Sequence, residues 1–434
     1  MTTTETDLRP ARLTESEYSV HPSTGPRKIE EIKVYKRRWI VLFLFVFYSG
    51  ANAAQWIQYS IINNIIVKYY GINDKWVDWT SMVYMIVYIP LIFPGSWFLD
   101  KMVCILSLPA RIAAVWFGPH QVSSACSVGV FGNQLGIAVG FVLPPILVEN
   151  SDDLDKIGSD LLFMFYCFAG FTTVLMVLMI LFFKDKPPTP PNPKRSATSS
   201  DEAAAQAPFM QSLKSLVLNR NYVLLLISYG MNVGVFYAIS TLLNPVVLKY
   251  YPGHEVDTGR IGLSIVLAGM IGSVVCGIVL DQMRKFKETT LAVYAFSMVG
   301  MWIFTFTLDT GHIAVVYVTA ALLGFFMTGY LPVGFEFAAE LTYPEPEGTS
   351  SGLLNAAAQI FGIGFTSLYS EVFYTYGDIP ADVIMSIMLV LGTLITALIK
   401  PDLRRQKANR DAMPPVETSD VSVITSGKLD GINP

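Results

Sequence analysis

The stretch Asn52-Ala53-Ala54-Gln55-Trp56-Ile57-Gln58-Tyr59-Ser60-Ile61-Ile62-Asn63-Asn64 returns 180 positions later as Asn232-Val233-Gly234-Val235-Phe236-Tyr237-Ala238-Ile239-Ser240-Thr241-Leu242-Leu243-Asn244. Asn52, Trp56, Ser60 and Asn64 are answered by Asn232, Phe236, Ser240 and Asn244, and Ala54 by Gly234. In each copy the matched residues stand four apart, so on a helix they form one slowly drifting face. Both copies sit in runs too apolar for the surface of a water-soluble helix. A duplicated membrane helix with a polar, aromatic stripe reads as the inward wall of a transporter built from two related halves.

Composition points the same way. Of 434 residues, 52% are hydrophobic and only 15% are charged, too few charges for an ordinary soluble domain of this length. The net charge of -4 offers no basic face for nucleic acid. Cys104, Cys126, Cys167 and Cys276 lie in or beside apolar segments, with neither CxxC spacing nor His companions. Disulfide frameworks and zinc sites are therefore not expected. The first 38 residues lack an apolar run of the kind a cleaved signal peptide needs.

A spanning helix needs about 20 largely apolar residues. Ten segments qualify: 39–67, 79–99, 122–148, 161–183, 222–248, 261–280, 290–308, 313–337, 349–374 and 381–399. Lys and Arg collect before the first span, between 184 and 220, at Arg284, Lys285 and Lys287, and after Lys400. Alternation puts all of these on one side, so the positive-inside bias makes both termini cytoplasmic. The chain then divides into a disordered arm (1–38), an N-terminal helical half (39–183), a cytoplasmic linker (184–220), a six-helix half (221–400) and a disordered tail (401–434). The linker is Pro-, Ser- and Ala-rich between 186 and 208, a composition that resists folding.

Six spans follow the linker and only four precede it. The segment 102–117 is short for a span and contains Pro109 and Arg111, and an Arg near a span centre is expensive. Were it to cross, the basic linker would face outward. It is therefore expected to be a re-entrant or interfacial stub. A second duplicated pair measures the gap: Gln134 and Gln359 stand 225 apart. The shift from 180 to 225 implies that 45 residues, about two spans, are missing between Trp56 and Gln134. Such a loss should expose polar stripe residues or leave a void, impair folding and severely reduce transport.

The six-plus-six arrangement with a basic central loop resembles the major facilitator superfamily, as does Gly277-Ile278-Val279-Leu280-Asp281 followed by Arg284 and Lys285. More specific are Gln55–Ser60, Asp78–Met82, and the runs 109–118, 131–136, 324–336 (GFFMTGYLPVGFE) and 343–355 (YPEPEGTSSGLLN). Over roughly residues 35–410 these resemble the feline leukaemia virus subgroup C receptor-related family, and the tail 402–409 (DLRRQKAN) is most similar to its second paralogue. The resemblance implies an all-α membrane protein of the major facilitator fold, with two helical bundles of which the first is incomplete. It implies facilitative, alternating-access transport of choline and ethanolamine by a monomer in the plasma membrane, or in a mitochondrial or endoplasmic reticulum membrane. Trp56, Tyr237 and Gln359 match the family's substrate residues. A fourth-helix glutamine falls in the missing stretch, at the junction before Met102. Asn64 and Asn244 match outer gating residues and Glu347 an inner one, with Asp78 among the gating candidates. The His-Pro repeats of the second paralogue's arm, linked to haem, shrink here to His21-Pro22.

The residues support that expectation on their own chemistry. A quaternary ammonium cannot donate hydrogen bonds, so aromatic faces must hold it, each worth about 0.5–2 kcal/mol. Trp56 and the Phe236-Tyr237 pair offer such faces, and Gln359 or Gln134 could take a hydroxyl end. Helix packing is the commoner fate of such aromatics, but Asn, Gln and Ser on the same stripe seek an interior or a cavity. Ionisable residues are nearly absent from mid-span positions, which favours passive transport over proton coupling. No nucleophile–base set, metal cluster or phosphate loop appears, so no enzyme, cofactor or metal is expected. Ser123-Ser124 and Thr349-Ser350-Ser351 are expected to act as helix N-caps. Gly132/Gly136/Gly140 and Gly362/Gly364 are expected to be packing surfaces. The alternatives are haem as cargo, although none of His120, His254 and His312 lies on the stripe, and a non-transporting splice form acting through a full-length partner.

Overall fold

The computed structural model describes residues 35–101, 116–117, 121–183, 209–283, 285–345 and 347–411. Its first span is α1 (Arg37–Ile57), a 3-10 turn (Ser60–Ile62) and α2 (Asn63–Tyr70) in line. Then come α3 (Asp74–Lys101), α4 (Val122–Leu147) and α5 (Leu154–Phe182). A short helix, α6 (Phe209–Leu218), precedes α7 (Arg220–Tyr250), α8 (Glu255–Met283), α9 (Phe286–Thr307), α10 (Ile313–Thr342), α11 (Glu347–Tyr376) and α12 (Asp378–Leu398). A final helix, α13, covers Arg404–Asp411. Each of the ten expected spans falls on a long helix. Eight of them pass a length-and-apolarity test for crossing a membrane among the described residues; α3 and α11, the others, face each other across the two halves.

Two expectations need correction. The tail was expected to be disordered from 401, yet Arg404–Asp411 is helical. The charges decide this: Lys407 and Arg404 both bond Asp402, at 2.8 Å, and hold its carboxyl below the usual range. Ser350 and Ser351 are not N-caps. They lie inside α11, and their hydroxyls donate back to the Glu347 carbonyl at 3.1 and 2.7 Å. The stub 102–117 lies outside the described residues except for Trp116 and Phe117, which pack with Val41, Leu42 and Phe45 of α1. The arm 1–34, the stretch 184–208, Cys104 and the side chains of Ser123 and Ser124 lie outside them too.

The sequence repeat is also a spatial one. A Cβ on Gly50 would sit 3.1 Å from the Gly132 carbonyl, and one on Gly230 would sit 3.2 Å from the Ala357 carbonyl. Gly50 and Gly230 are 180 apart, and Gly132 and Ala357 are 225 apart. So α1 meets α4 as α7 meets α11, with the two offsets measured from the sequence. Gly132, Gly136 and Gly140 all press against α1: a Cβ on Gly132 would lie 2.7 Å from Val46, and one on Gly140 2.8 Å from the Ala54 carbonyl. Gly362 meets the Tyr237 ring in the same way, whereas Gly364 faces open space.

Beyond that shared core the halves differ. In the second half, α10 packs against α8 and α9, and α12 against α7, α9 and α11. Among the described residues the first half has no counterparts of α9 and α10. Its α5 is left largely uncovered, with Phe163, Tyr166, Val174, Ile180 and Leu181 exposed. On the stripe, Asn52 is exposed while its counterpart Asn232 is fully buried.

Because the α1–α4 seam has no room for a side chain, Gly136→Leu should overpack it, at a cost of about 1–3 kcal/mol or more. A lowered melting temperature and loss of the monodisperse peak in detergent size-exclusion would be the readout. Gly364→Ala, in open space, should leave both unchanged.

Candidate functional site

Residues 149–160 and the α1–α3 and α7–α8 junctions share one end of the bundle, called here the acidic end; the 209–220 segment and α13 share the other, the linker end. Midway between them, Trp56 of α1 and Tyr237 of α7 meet edge to face, with ring centroids 5.1 Å apart. One ring comes from each half, and such a pair is worth about 0.5–1.5 kcal/mol beyond the area it buries. The α11 seam sets this meeting: with no side chain on Gly362, the Tyr237 ring lies against the backbone of α11. Gln359, one turn before the seam, donates from Nε2 to the Tyr237 hydroxyl at 3.4 Å. Its Oε1 and Trp56 Nε1 have no protein partner. Phe236 stands beside Tyr237 at 6.2 Å and packs against the core, a wall rather than a second face.

Gln134, expected to mirror Gln359, is half-buried, and its Oε1 has no protein partner. Asn133 beside it bonds Ser49 at 3.3 Å. Sequence reading missed two half-buried tyrosines of α3, Tyr84 and Tyr88, the first of which accepts from Asn52 Nδ2 at 3.0 Å. Nothing in the duplicated stripe points to them, because they sit on a helix outside the repeat pair that revealed it.

At the acidic end the halves are clasped. The backbone N–H of Asn64 donates to Asn244 Oδ1 at 3.5 Å, so the two copies of one residue touch across the pseudo-symmetry. Asn244 Nδ2 donates to the Ile61 carbonyl at 2.7 Å, a group freed by the 3-10 turn that interrupts the first span. Glu255, at the start of α8, accepts from Asn64 at 3.1 Å and from Asn150 at 2.7 Å. Asp78, fully buried, accepts from Ser370 of α11 at 2.7 Å. Nearby, Asn63 donates to Tyr374 at 3.2 Å and Lys75 pairs with Glu371 at 2.5 Å. Glu255, Asn150, Ser370 and Tyr374 could not be anticipated: their partners lie over a hundred residues away, and none stands in a recognisable motif. Asp382, inside the last expected span, was also missed; it is buried and takes the Tyr369 hydroxyl at 2.5 Å.

Glu347 is elsewhere. At the linker end it pairs with Arg405 of α13 at 3.2 Å, a contact within its own half that Glu336 shares at 3.8 Å. The backbone N–H of Gln406 meanwhile donates to Glu340 at 3.2 Å. His254 and His312 sit at helix ends near loops, away from the aromatic pair. Among the described residues no cluster of His, Cys, Asp and Glu could hold a metal ion.

Two helical halves around a central aromatic pair define a membrane transporter of the major facilitator class. The Major Facilitator Superfamily model matches residues 102–367. Solved structures agree on the fold: a bacterial homologue of the human lysosomal transporter Spinster, inward-facing and occupied, superposes with a TM-score of 0.62 at 11% identity, covering 88% of this chain and 100% of that one. A D-xylose–proton symporter gives 0.58 at 14% identity, covering 85% and 98%. Within the superfamily the chain belongs to the feline leukaemia virus subgroup C receptor-related family. It is 48% identical to choline/ethanolamine transporter flvcr2b of Danio rerio over 425 aligned positions, covering 88% of this chain and 87% of the relative. The human choline/ethanolamine transporter FLVCR2 is 47% identical, covering 90% and 82%, and the FLVCR1 of Felis catus 45%, covering 89% and 77%. The alignment to the Danio relative runs longer than the part of this chain that it holds, so the relative has residues without a counterpart here.

Glu255 holds two partners from the other half, so Glu255→Ala should loosen the acidic end. Amide hydrogen exchange should rise severalfold in 61–66 and 244–247, and stay unchanged in 132–140, where the glycine seam is independent of the clasp.

Proposed function

We propose that this chain is a facilitative carrier of choline and ethanolamine that works by alternating access. The observation that carries the reading is the Trp56–Tyr237 pair, one ring from each half, with Gln359 bonded to the Tyr237 hydroxyl. A quaternary ammonium between two such faces is stabilised by about 0.5–2 kcal/mol per ring, more where water is excluded. Relatives named choline/ethanolamine transporters, at 45–48% identity, support the same substrate class. No buried carboxylate among the described residues stands beside the aromatic pair, so the cation is held without a fixed counter-charge. That suits a gradient-driven carrier, because a full ion pair in the membrane interior would release its ligand slowly.

In this reading the linker end is cytoplasmic, both termini with it, and the protein works as a monomer in the plasma membrane. Asn64, Asn244 and Asp78 belong to the outer gate, closed here. Each hydrogen bond between membrane helices is worth roughly 0.6 kcal/mol, so the clasp as a whole amounts to a few kcal/mol. A gap of that size suits two exchanging states. Glu347 serves the inner gate, and in this state Arg405 neutralises it from its own half. In this reading the relatives' additional residues belong at the Lys101–Met102 junction and form two further spans of the first half.

Radiolabelled choline uptake is the test, in cells expressing this chain or the chain with a relative's two spans inserted after Lys101. The inserted form should take up choline severalfold faster. In that form Trp56→Ala and Tyr237→Ala should each cut uptake about tenfold. Equal uptake by the two forms would overturn the role of the missing spans. Uptake that haem inhibits and choline does not would replace the substrate.

A further inference from the structure

The substrate's other end needs a reader as well. We propose that Tyr84 of α3, held by Asn52 of α1, recognises the substrate hydroxyl; this rests on the Trp56–Tyr237 reading above.

Asn52 Nδ2 donates to the Tyr84 hydroxyl oxygen at 3.0 Å. That bond fixes the ring and leaves the phenol's own proton unspent. If the amide is turned the other way, Tyr84 donates to Asn52 and the amide N–H groups are unspent instead. Either arrangement leaves a donor at the same place. Asn52 stands four residues before Trp56, one turn away on the same face. Tyr84 is half-buried, and the next residue of α3, Met85, lies with the Tyr237 ring against Gly362: a Cβ there would meet its sulfur at 3.1 Å and the ring at 2.7 Å. The pair therefore borders the aromatic site. The symmetry makes the contrast plain. Asn232, the counterpart of Asn52, is fully buried and both of its amide atoms lack a protein partner. Only the first-half copy is exposed with a tyrosine partner.

The chemistry closes around a two-carbon alcohol. Its ammonium lies against Trp56 and Tyr237, and its hydroxyl reaches no further than about one helical turn. Gln359 Nε2 is already given to Tyr237, so Oε1 remains to accept the hydroxyl proton. The donor from Tyr84 or Asn52 then meets the hydroxyl oxygen. Tyr84 is thus a specificity residue: it distinguishes choline from the same cation without its hydroxyl.

The test is equilibrium binding of radiolabelled choline to the purified full chain, with unlabelled choline or ethyltrimethylammonium as competitor. Tyr84→Phe keeps the ring and removes the hydroxyl. It should weaken choline about three- to tenfold while changing ethyltrimethylammonium less than about twofold. Asn52→Ala should shift the ratio in the same direction. Equal weakening of both ligands would assign Tyr84 a packing role and overturn the proposal, as would no change in either. Trp56→Ala separates the two levels: it should weaken both ligands alike. If it weakens neither, or if the unaltered chain does not bind choline, the aromatic site itself is wrong, and this inference falls with it.

Discussion

Close approach of backbones is the constraint on which this structure depends. α1 lies on α4 through Gly50, Gly132, Gly136 and Gly140, and α7 lies on α11 through Gly230, Gly234 and Gly362. In lipid there is no hydrophobic gain from pressing two apolar helices together, so small residues and tight van der Waals contact must hold them. These seams fix the rotation of α1 and α7 about their own axes. With that rotation set, Trp56 and Tyr237 have to meet at the centre, and Asn64 and Asn244 have to meet at the acidic end. Gly362 joins the two roles, because its missing side chain is the space the Tyr237 ring occupies.

The two halves share that seam and little else. In the second half, α9 and α10 cover α8 and α12, and polar groups such as Asn232 are fully enclosed. Among the described residues of the first half α3 and α5 have fewer neighbours, and Asn52 is open. Equal sequence stripes thus have unequal environments. A polar side chain on a membrane helix is tolerated where it faces protein or a cavity, and Asn52 meets that need through Tyr84 rather than through burial. The first half still delivers its share of the clasp, because Asn63, Asn64, Lys75, Asp78 and Asn150 all lie near helix ends at the acidic side.

Glu347 shows how, among the described residues, one end of such a molecule is tied between the halves and the other within one half. At the acidic end, bonds run between halves. At the linker end, Arg405 turns Glu347 toward its own half, and α13 rests against the foot of α10. A short tail helix built almost wholly of polar residues has no apolar face to dock with; its order comes from the Asp402 pairs with Arg404 and Lys407 and from Arg405 and the Gln406 backbone on three glutamates.

Much of this was determined by the sequence alone. Apolar length placed ten helices, and the offsets of 180 and 225 read from the sequence return in space, where α1 meets α4 as α7 meets α11. Trp56 and Gln359 were singled out as candidates because they stand on the repeat, and Tyr237 because it adjoins Phe236 of the stripe and matches the family resemblance. What pairs with what between helices was not legible in the sequence. Glu255 with Asn64 and Asn150, Asp78 with Ser370, Tyr84 with Asn52, and Glu347 with Arg405 rather than with the other half are contacts between residues far apart in the chain. Local periodicity says which face a residue occupies, but only the packing of helix against helix decides what that face touches.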